Sequence, residues 1–123
     1  MAPALNTAAP LPASKNTAHN RGRTCELQVR HFLEKQGYQI LGERIRVGGV
    51  EIDLLVSRGK RERLIVEVKS VNGLEWLEAR LSRRQRQRLK SAATVLIERG
   101  YAVEIWLALV GRGKTPIEII KDL

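Results

Sequence analysis

The stretch that decides the fold reads VEIDLLV at residues 50–56 and, after a polar break, LIVEVK at residues 64–69. Apolar and polar side chains alternate in both halves, which is the period-2 pattern of half-buried β-strands. The apolar residues predicted to share one face are Val50, Ile52, Leu54 and Val56 in the first strand and Leu64, Val66 and Val68 in the second. The segment between them is polar and contains Gly59, so we predict a β-hairpin.

A hairpin folded symmetrically about Lys60 matches the apolar faces of the two strands and places charged residues opposite one another. Asp53 then lies opposite Glu67, and Glu51 lies opposite Lys69. Two carboxylates facing each other destabilise a sheet, so we expect compensation by a divalent cation or a nearby lysine. The alternative is a solvated outer face that carries a Glu51–Lys69 ion pair and two carboxylates spread apart.

The composition predicts one basic globular domain. The 123 residues suffice for a single core, and 22 Lys and Arg against 13 Asp and Glu give a net charge of +9. This charge favours a polyanionic partner, most simply nucleic acid, with anionic lipid as the competing partner. The single cysteine, Cys25, excludes an intrachain disulfide and a cysteine-based zinc site and fits a reduced, cytoplasmic setting. No apolar run is long enough to span a membrane.

The remaining pattern predicts the element order α-β-β-β-α-β with a short terminal strand. Residues 1–21 are rich in Ala, Pro, Asn and Thr and predict a disordered tail before a domain at residues 22–123. The predicted elements are a helix from near Arg23 to Gln36, a strand at 38–47, the hairpin, a short helix at 74–81, a helix from Ser82 to Gly100, a strand at 101–110 and an edge strand at 115–120. We therefore predict an α/β fold with a mixed β-sheet flanked by helices, in which the 101–110 strand joins in parallel.

The first helix carries one acidic residue close to its apolar face. Its apolar stripe comprises Cys25, Val29, Phe32 and Leu33. At about 100° per residue, Glu26 lies about 20° from Leu33 around the helix axis. This carboxylate is either a first-turn residue favoured by the helix dipole or a group aimed at a site where helix meets sheet. His19 and His31 do not form a metal-binding pair.

The second long helix is strongly basic at its start. The basic residues in and just before its N-terminal half are Arg80, Arg83, Arg84, Arg86, Arg88 and Lys90, with no acid between them. Like charges four residues apart cost helix stability, so we predict a phosphate-contacting surface rather than an ordinary solvated face. Ser82 and Gln85 fit a capping box, and Gln85 is also predicted to face the sheet because it precedes Leu89 by four residues.

Glu26, the tripeptide E-I-D at 51–53 and the tripeptide E-V-K at 67–69 resemble the PD-(D/E)XK nuclease core. More closely, GYQILGERIRVGGVEIDLLV at 37–56 with LIVEVKS at 64–70 resembles the YraN family of small bacterial proteins. That family is similar in fold to Holliday-junction resolvases and restriction endonucleases. The resemblance covers roughly residues 22–110. Three departures are Ile52 at the superfamily's Pro, the absence of the usual Asn around residues 42–44, and Ser70-Val71 where many relatives carry a basic residue.

The resemblance implies roles for individual residues. Asp53 and Glu67 would be the main ligands of Mg²⁺ or Mn²⁺, and the backbone carbonyl of Val68 would add another oxygen. Lys69 would orient or activate the attacking water, and Glu26 would be an auxiliary ligand, directly or through water.

Two further residues receive weaker assignments. The resemblance implies that Gln85 contacts the site from the second helix. Glu51 belongs to the E-I-D signature, yet pairing with Lys69 or Arg46 is as good an explanation for it as a metal contact.

Three functions are compatible with these features. The first is a metal-dependent endonuclease acting on DNA, including branched DNA, for which a homodimer would suit paired cuts. The second is a non-catalytic nucleic-acid-binding module that retains the fold. The third, a basic protein that docks on acidic partners or a membrane surface, ranks last because the Ala/Leu stripe of the basic helix suits a core.

Overall fold

The sequence folds into one five-stranded mixed sheet with a helix against each face. The computed structural model describes residues 17–71, 81–111 and 117–121, with side chains from Arg23 onward. Its elements are α1 (Thr17–Lys35), β1 (Gln39–Val47), β2 (Val50–Ser57), β3 (Glu62–Val71), α2 (Arg83–Glu98), β4 (Ala102–Gly111) and β5 (Ile117–Ile120). The strands follow the chain order β1-β2-β3-β4-β5 across the sheet. The predicted α/β class and the predicted element order are confirmed, while the short helix predicted at 74–81 falls almost wholly outside the described residues.

The sheet combines an antiparallel meander with one parallel pair. β1, β2 and β3 pair antiparallel in succession, and β5 pairs antiparallel with β4 at the far edge. β3 and β4 pair in parallel from Glu62↔Ala102 to Val71↔Gly111. A parallel pair needs a crossover connection, which α2 supplies, so the predicted parallel entry of β4 is confirmed.

Helix α1 begins earlier than predicted. It starts at Thr17 rather than near Arg23, so residues 17–21 are helical although we had assigned them to the tail. Thr24, which is the candidate cap for a helix that starts near Arg23, therefore lies inside the helix and does not cap it. The helix continues through Gly22, although glycine in a helix interior costs about 1 kcal/mol relative to alanine. The predicted stop is confirmed, because Gly37 has φ 95° and Tyr38 donates its N–H to the Leu33 carbonyl at 3.1 Å.

Both faces of the sheet are buried, which corrects the prediction of half-buried strands. One cluster contains Ile65 and Leu107 with residues of α2, and the other contains Val66 and Trp106 with residues of α1. A sheet containing a parallel pair is covered on both sides because its crossover helix occupies one face and another element covers the second. The alternation in β3 therefore separates two cores rather than a core from solvent.

Strand β2 changes faces at Asp53. Val50 and Ile52 pack in the cluster on the α2 side, whereas Leu54 and Val56 pack in the cluster on the α1 side. The prediction that these four residues share one face is wrong. In a regular strand, residues two apart lie on the same face, so the backbone must deviate between them. Asp53 thus lies where the side chains of the strand change from one face of the sheet to the other.

The N-terminus of α2 forms the predicted capping box. Ser82 Oγ accepts a hydrogen bond from the Gln85 backbone N–H, and Gln85 Oε1 accepts one from the Ser82 N–H, both at 3.1 Å. Its buried residues are Leu89, Ala92, Ala93 and Leu96. The sequence pattern predicts that Ile97 belongs to the apolar stripe of this helix, but the residue is 54% exposed. Neither α1 nor α2 has the length and hydrophobicity needed to cross a bilayer.

Candidate functional site

The β2–β3 hairpin brings the two predicted carboxylates together. Its register runs from Ser57↔Arg63 to Leu54↔Val66, which confirms the predicted symmetry about Lys60. One residue beyond this ladder, Asp53 Oδ2 accepts a hydrogen bond from the Val68 backbone N–H at 2.8 Å. A side-chain carboxylate therefore occupies a position that a main-chain acceptor would take in a regular ladder.

Asp53 and Glu67 form a direct carboxyl pair. Both side chains are half-buried, and they lie close enough that each affects the pKa of the other. Burial, followed by the negative charge of Asp53, raises the pKa of Glu67 to about 7. Burial is also the largest cause of the raised pKa of Asp53, whereas the hydrogen bond from Val68 lowers it. The raised pKa values mean that the surrounding protein does not fully compensate the negative charge of the ionised pair.

Glu26 reaches the same region from α1. It is only 7% exposed, and its Oε1 accepts a hydrogen bond from Arg44 Nε at 2.9 Å. Its negative charge raises the pKa of both Asp53 and Glu67, although burial is the larger cause for each. Of the two interpretations of Glu26, the structure supports the group directed at the helix–sheet junction.

The three carboxylates are not arranged as a ready set of three metal ligands. Within residues 17–71, 81–111 and 117–121, no group of three or more His, Cys, Asp or Glu side chains is placed to hold a metal ion. The direct pair is Asp53 and Glu67, and Glu26 is engaged by Arg44. A cation at this point would depend on two carboxylates together with main-chain or solvent oxygens.

Val68 and Lys69 flank the pair on β3. In a strand, the N–H and C=O groups of one residue point to the same neighbouring strand. Because the Val68 N–H points to Asp53, we infer that its carbonyl also lies on the β2 side. Lys69 is exposed and, two residues after Glu67, shares its face of the strand.

The two supporting residues are placed outside this centre. Glu51 is exposed and stands opposite Arg46 in the β1–β2 register, and the Arg46 guanidinium donates a hydrogen bond to the Gly49 carbonyl. Gln85 is half-buried, but its side-chain oxygen is held by Ser82 in the capping box. This bond ties Gln85 to the helix end rather than to the carboxyl pair.

One arginine in the basic part of α2 acts on the carboxyl pair through its charge. The positive charge of Arg88 lowers the pKa of Glu67, which opposes the larger effects of burial and Asp53. Arg83, Arg84 and Lys90 are exposed, whereas Arg86 is half-buried and its Nε has no hydrogen-bond partner among the described residues. Arg80 lies outside the described residues.

An open cleft runs along the same helix face. Its volume is about 650 Å³, and it is lined by Val50, Arg83, Arg84, Gln87, Arg88 and Ser91. Sequence reasoning missed Gln87 and Ser91, although their spacing of three and seven residues from Arg84 places them on one face of a helix. Positive and hydrogen-bonding side chains thus converge in a cleft that includes Arg88, the arginine whose charge acts on Glu67, and this composition suits phosphate groups.

Arg44 is the other residue that sequence reasoning missed. Its φ is 51°, and it lies opposite Asp53 between the register pairs Glu43↔Leu54 and Ile45↔Ile52. Nothing in the alternation of polar and apolar residues indicates a left-handed backbone at an arginine. This irregularity accompanies the change of face in β2.

Comparison with known proteins places most of the described fold in one family. A family model described as Uncharacterised protein family UPF0102 matches residues 25–112. A UPF0102 protein of Acidiphilium cryptum is 34% identical over 85 residues, covering 69% of this chain and 66% of the relative. One of Caulobacter vibrioides is 40% identical over 90 residues, covering 72% and 71%. One of Synechococcus is 40% identical over 62 residues, covering 50% and 47%, so the match spans about half of that relative.

Proposed function

The chain belongs to the uncharacterised protein family UPF0102, and on that premise we propose that it is a metal-dependent nuclease hydrolysing phosphodiester bonds in DNA. The observation that carries the proposal is the half-buried Asp53–Glu67 pair at the point where β2 changes faces. Perturbed acids of this kind mark functional-site candidates when they adjoin a cleft. The cleft on α2 carries Arg84 and Arg88, which suit a phosphate backbone, and the charge of Arg88 also acts on Glu67.

The residues present fit a hard divalent cation. Asp53, Glu67 and the Val68 carbonyl offer only oxygen atoms, which Mg²⁺ and Mn²⁺ prefer. Mg²⁺ is usually held by one or two carboxylates with the remaining positions taken by water and substrate phosphate, so two carboxylates suffice. When bound, such a cation lowers the pKa of a bound water and stabilises charge on the scissile phosphate.

The protein's own residues would then supply the remaining catalytic and binding roles. The ammonium group of Lys69 would orient the attacking water or stabilise negative charge on the phosphate. Arg84 and Arg88 would hold the flanking DNA backbone. The Val68 N–H would fix the orientation of the Asp53 carboxylate through its hydrogen bond.

The deciding experiment is a cleavage assay on branched, flapped and linear duplex DNA with Mg²⁺ or Mn²⁺. Wild type is compared with Asp53→Asn, and EDTA serves as the metal-free control. Metal-dependent cleavage by wild type alone would support the proposal, and a preference within the panel would identify the DNA structure that is recognised. Equal cleavage by both proteins would show that the activity comes from a contaminant.

One observation favours the non-catalytic alternative, in which the fold only binds nucleic acid. Glu26 is paired with Arg44, and within the described residues no group of three or more His, Cys, Asp or Glu side chains is placed to hold a metal ion. A binding module predicts DNA affinity without turnover and without cation binding. Calorimetric titration with Mn²⁺ separates the two functions, because the absence of binding at millimolar cation would favour the module.

Both functions predict that DNA binding depends on the arginines of the α2 cleft. Log affinity for duplex DNA should fall with log salt at a slope of about −0.9 for each phosphate contact. Arg84→Gln and Arg88→Gln should therefore each reduce that slope by about 0.9. Fluorescence anisotropy across a salt series measures the change. Arg99→Gln, at the opposite end of the helix region, is the matched control, and an equal loss of slope there would contradict a localised interface.

Metal binding should weaken as the pH falls below 7. The pKa of Glu67 is raised to about 7, so protons compete with the cation at lower pH. We expect Mn²⁺ affinity to rise by about tenfold per pH unit from pH 5.5 to 6.5 and to level off above about 7.5. Calorimetry in buffers of different ionisation enthalpy should also detect protons released on binding. The control is Glu67→Gln, whose residual affinity should lose most of this pH dependence; a flat wild-type profile would contradict the prediction.

The raised pKa of Glu67 also makes the stability of the metal-free protein depend on pH. The folded-state pKa of Glu67 lies above its ordinary value of 4.5. The favourable contribution of the protonated group is therefore complete below about pH 4.5 and is lost as the pH rises through about 7. Metal-free protein should lose stability over this interval, and bound cation should restore it.

A further inference from the structure

Arg44 has a backbone conformation that is unusual for its residue type. Its φ of 51° lies in the left-handed region, which long side chains seldom adopt and which Gly, Asn and Asp tolerate better. The residue lies on β1 opposite Asp53, in the gap between two register pairs. The residue with this strained backbone thus places its guanidinium group near the carboxyl pair.

The guanidinium lies among the acids of the site. Its Nε donates to Glu26 Oε1 at 2.9 Å, and Glu26 is only 7% exposed. This hydrogen bond is the largest cause of the raised pKa of Arg44, and the charges of Asp53 and Glu51 raise it further. Arg44 therefore neutralises acids on both α1 and β2 in the metal-free protein.

Docking of α1 on the sheet does not depend on this contact alone. A second ion pair, between Arg30 and Glu43, joins α1 to the neighbouring position of β1. Cys25, Val29 and Leu33 also bury the helix against β2 and β3. A purely structural role would make Arg44 redundant with these contacts, whereas its position beside Asp53 is not duplicated by Arg30.

We propose that Arg44 is an internal counter-cation that withholds Glu26 from the divalent cation and thereby lowers the metal affinity of the site. The inference rests on the proposed function, since it assumes a cation at Asp53 and Glu67. A carboxylate held by a buried charge-assisted hydrogen bond must give up that bond before it can serve a metal. Arg44 is therefore a positioning residue that acts through Glu26.

The test is calorimetric titration of the full chain with Mn²⁺ at pH 8, where protons compete little. Arg44→Asn should bind about tenfold more tightly than wild type, which corresponds to one displaced ion pair. Asparagine tolerates the left-handed backbone, so the variant should fold, and thermal unfolding checks this. Arg44→Lys, which keeps the charge, should stay close to wild type.

Two controls make the outcome specific. Arg30→Asn removes the same charge from the same helix–strand interface without touching Glu26, and it should leave Mn²⁺ affinity unchanged. In a Glu26→Gln background, Arg44→Asn should no longer tighten binding. Wild-type affinity in Arg44→Asn, or a full gain in the absence of Glu26, would overturn the role of Arg44 while leaving the divalent site intact. No binding by any variant would overturn the site itself and this role with it.

Discussion

Asp53→Asn is expected to abolish metal-dependent DNA cleavage and, at the same time, to stabilise the metal-free protein. Loss of one of two metal-binding carboxylates should reduce cleavage by at least about 10³-fold. The asparagine oxygen can still accept the Val68 N–H bond, and its amide can donate to Glu67. Removal of one like charge from a half-buried pair should raise the free energy of unfolding by about 1 kcal/mol at pH 8.

Opposite changes in activity and stability distinguish this residue from a merely structural one. Cleavage is measured with saturating Mn²⁺, and stability is measured by thermal or urea unfolding in EDTA. Glu51→Gln removes a charge two residues earlier on the same strand, where the side chain is exposed, and should change neither quantity greatly. A destabilised Asp53→Asn would mean that the carboxylate serves the fold, and full residual cleavage would place the chemistry elsewhere.

Trp106→Ala is expected to cost about 3–5 kcal/mol of unfolding free energy. Trp106 is 1% exposed and lies in the core between the sheet and α1. Its ring packs edge-on against Tyr38 with centroids 5.8 Å apart, and its Nε1 donates to Glu104 at 2.8 Å. Truncation would leave a cavity and remove both contacts.

Urea unfolding monitored by far-ultraviolet circular dichroism measures this loss. Ile97→Ala is the comparison, because Ile97 is 54% exposed on α2 and its truncation should change stability by no more than about 0.5 kcal/mol. A loss below about 1 kcal/mol at Trp106 would indicate that the α1-side core contributes little to folding. With about 5–15 kcal/mol available to a typical domain, the expected loss is large enough to leave part of the population unfolded.

Much of the fold was predictable because local rules and hydrophobic pattern agree. The parity of β2 and β3 led to the correct hairpin register, because Leu54 and Val56 do share a face with Leu64 and Val66. Ser82 and Gln85 marked the start of α2 through their reciprocal hydrogen bonds. The parallel entry of β4 followed from the helix that precedes it.

The errors share a physical cause, which is tertiary context that a periodic pattern does not contain. The face change at Asp53 lies opposite an irregular residue of the neighbouring strand, Arg44, whose residue type does not signal a left-handed backbone. Helix α1 starts at Thr17 and continues through Gly22, although glycine has a low helix propensity. The same holds for the candidate site. The proximity of Asp53 and Glu67 was predictable from the hairpin register, whereas the Glu26–Arg44 ion pair depends on how α1 packs on the sheet.

The irregularity of β1 has a consequence for solubility. This strand forms one edge of the sheet, and a regular edge offers unpaired main-chain groups to other chains. A register shift between Ile40 and Gly42 and the left-handed Arg44 interrupt the extended backbone along that edge. Glu43, Arg44 and Arg46 add charge to the same segment. The distortion that positions a guanidinium near the carboxylates therefore also makes β1 a poor template for edge-to-edge aggregation.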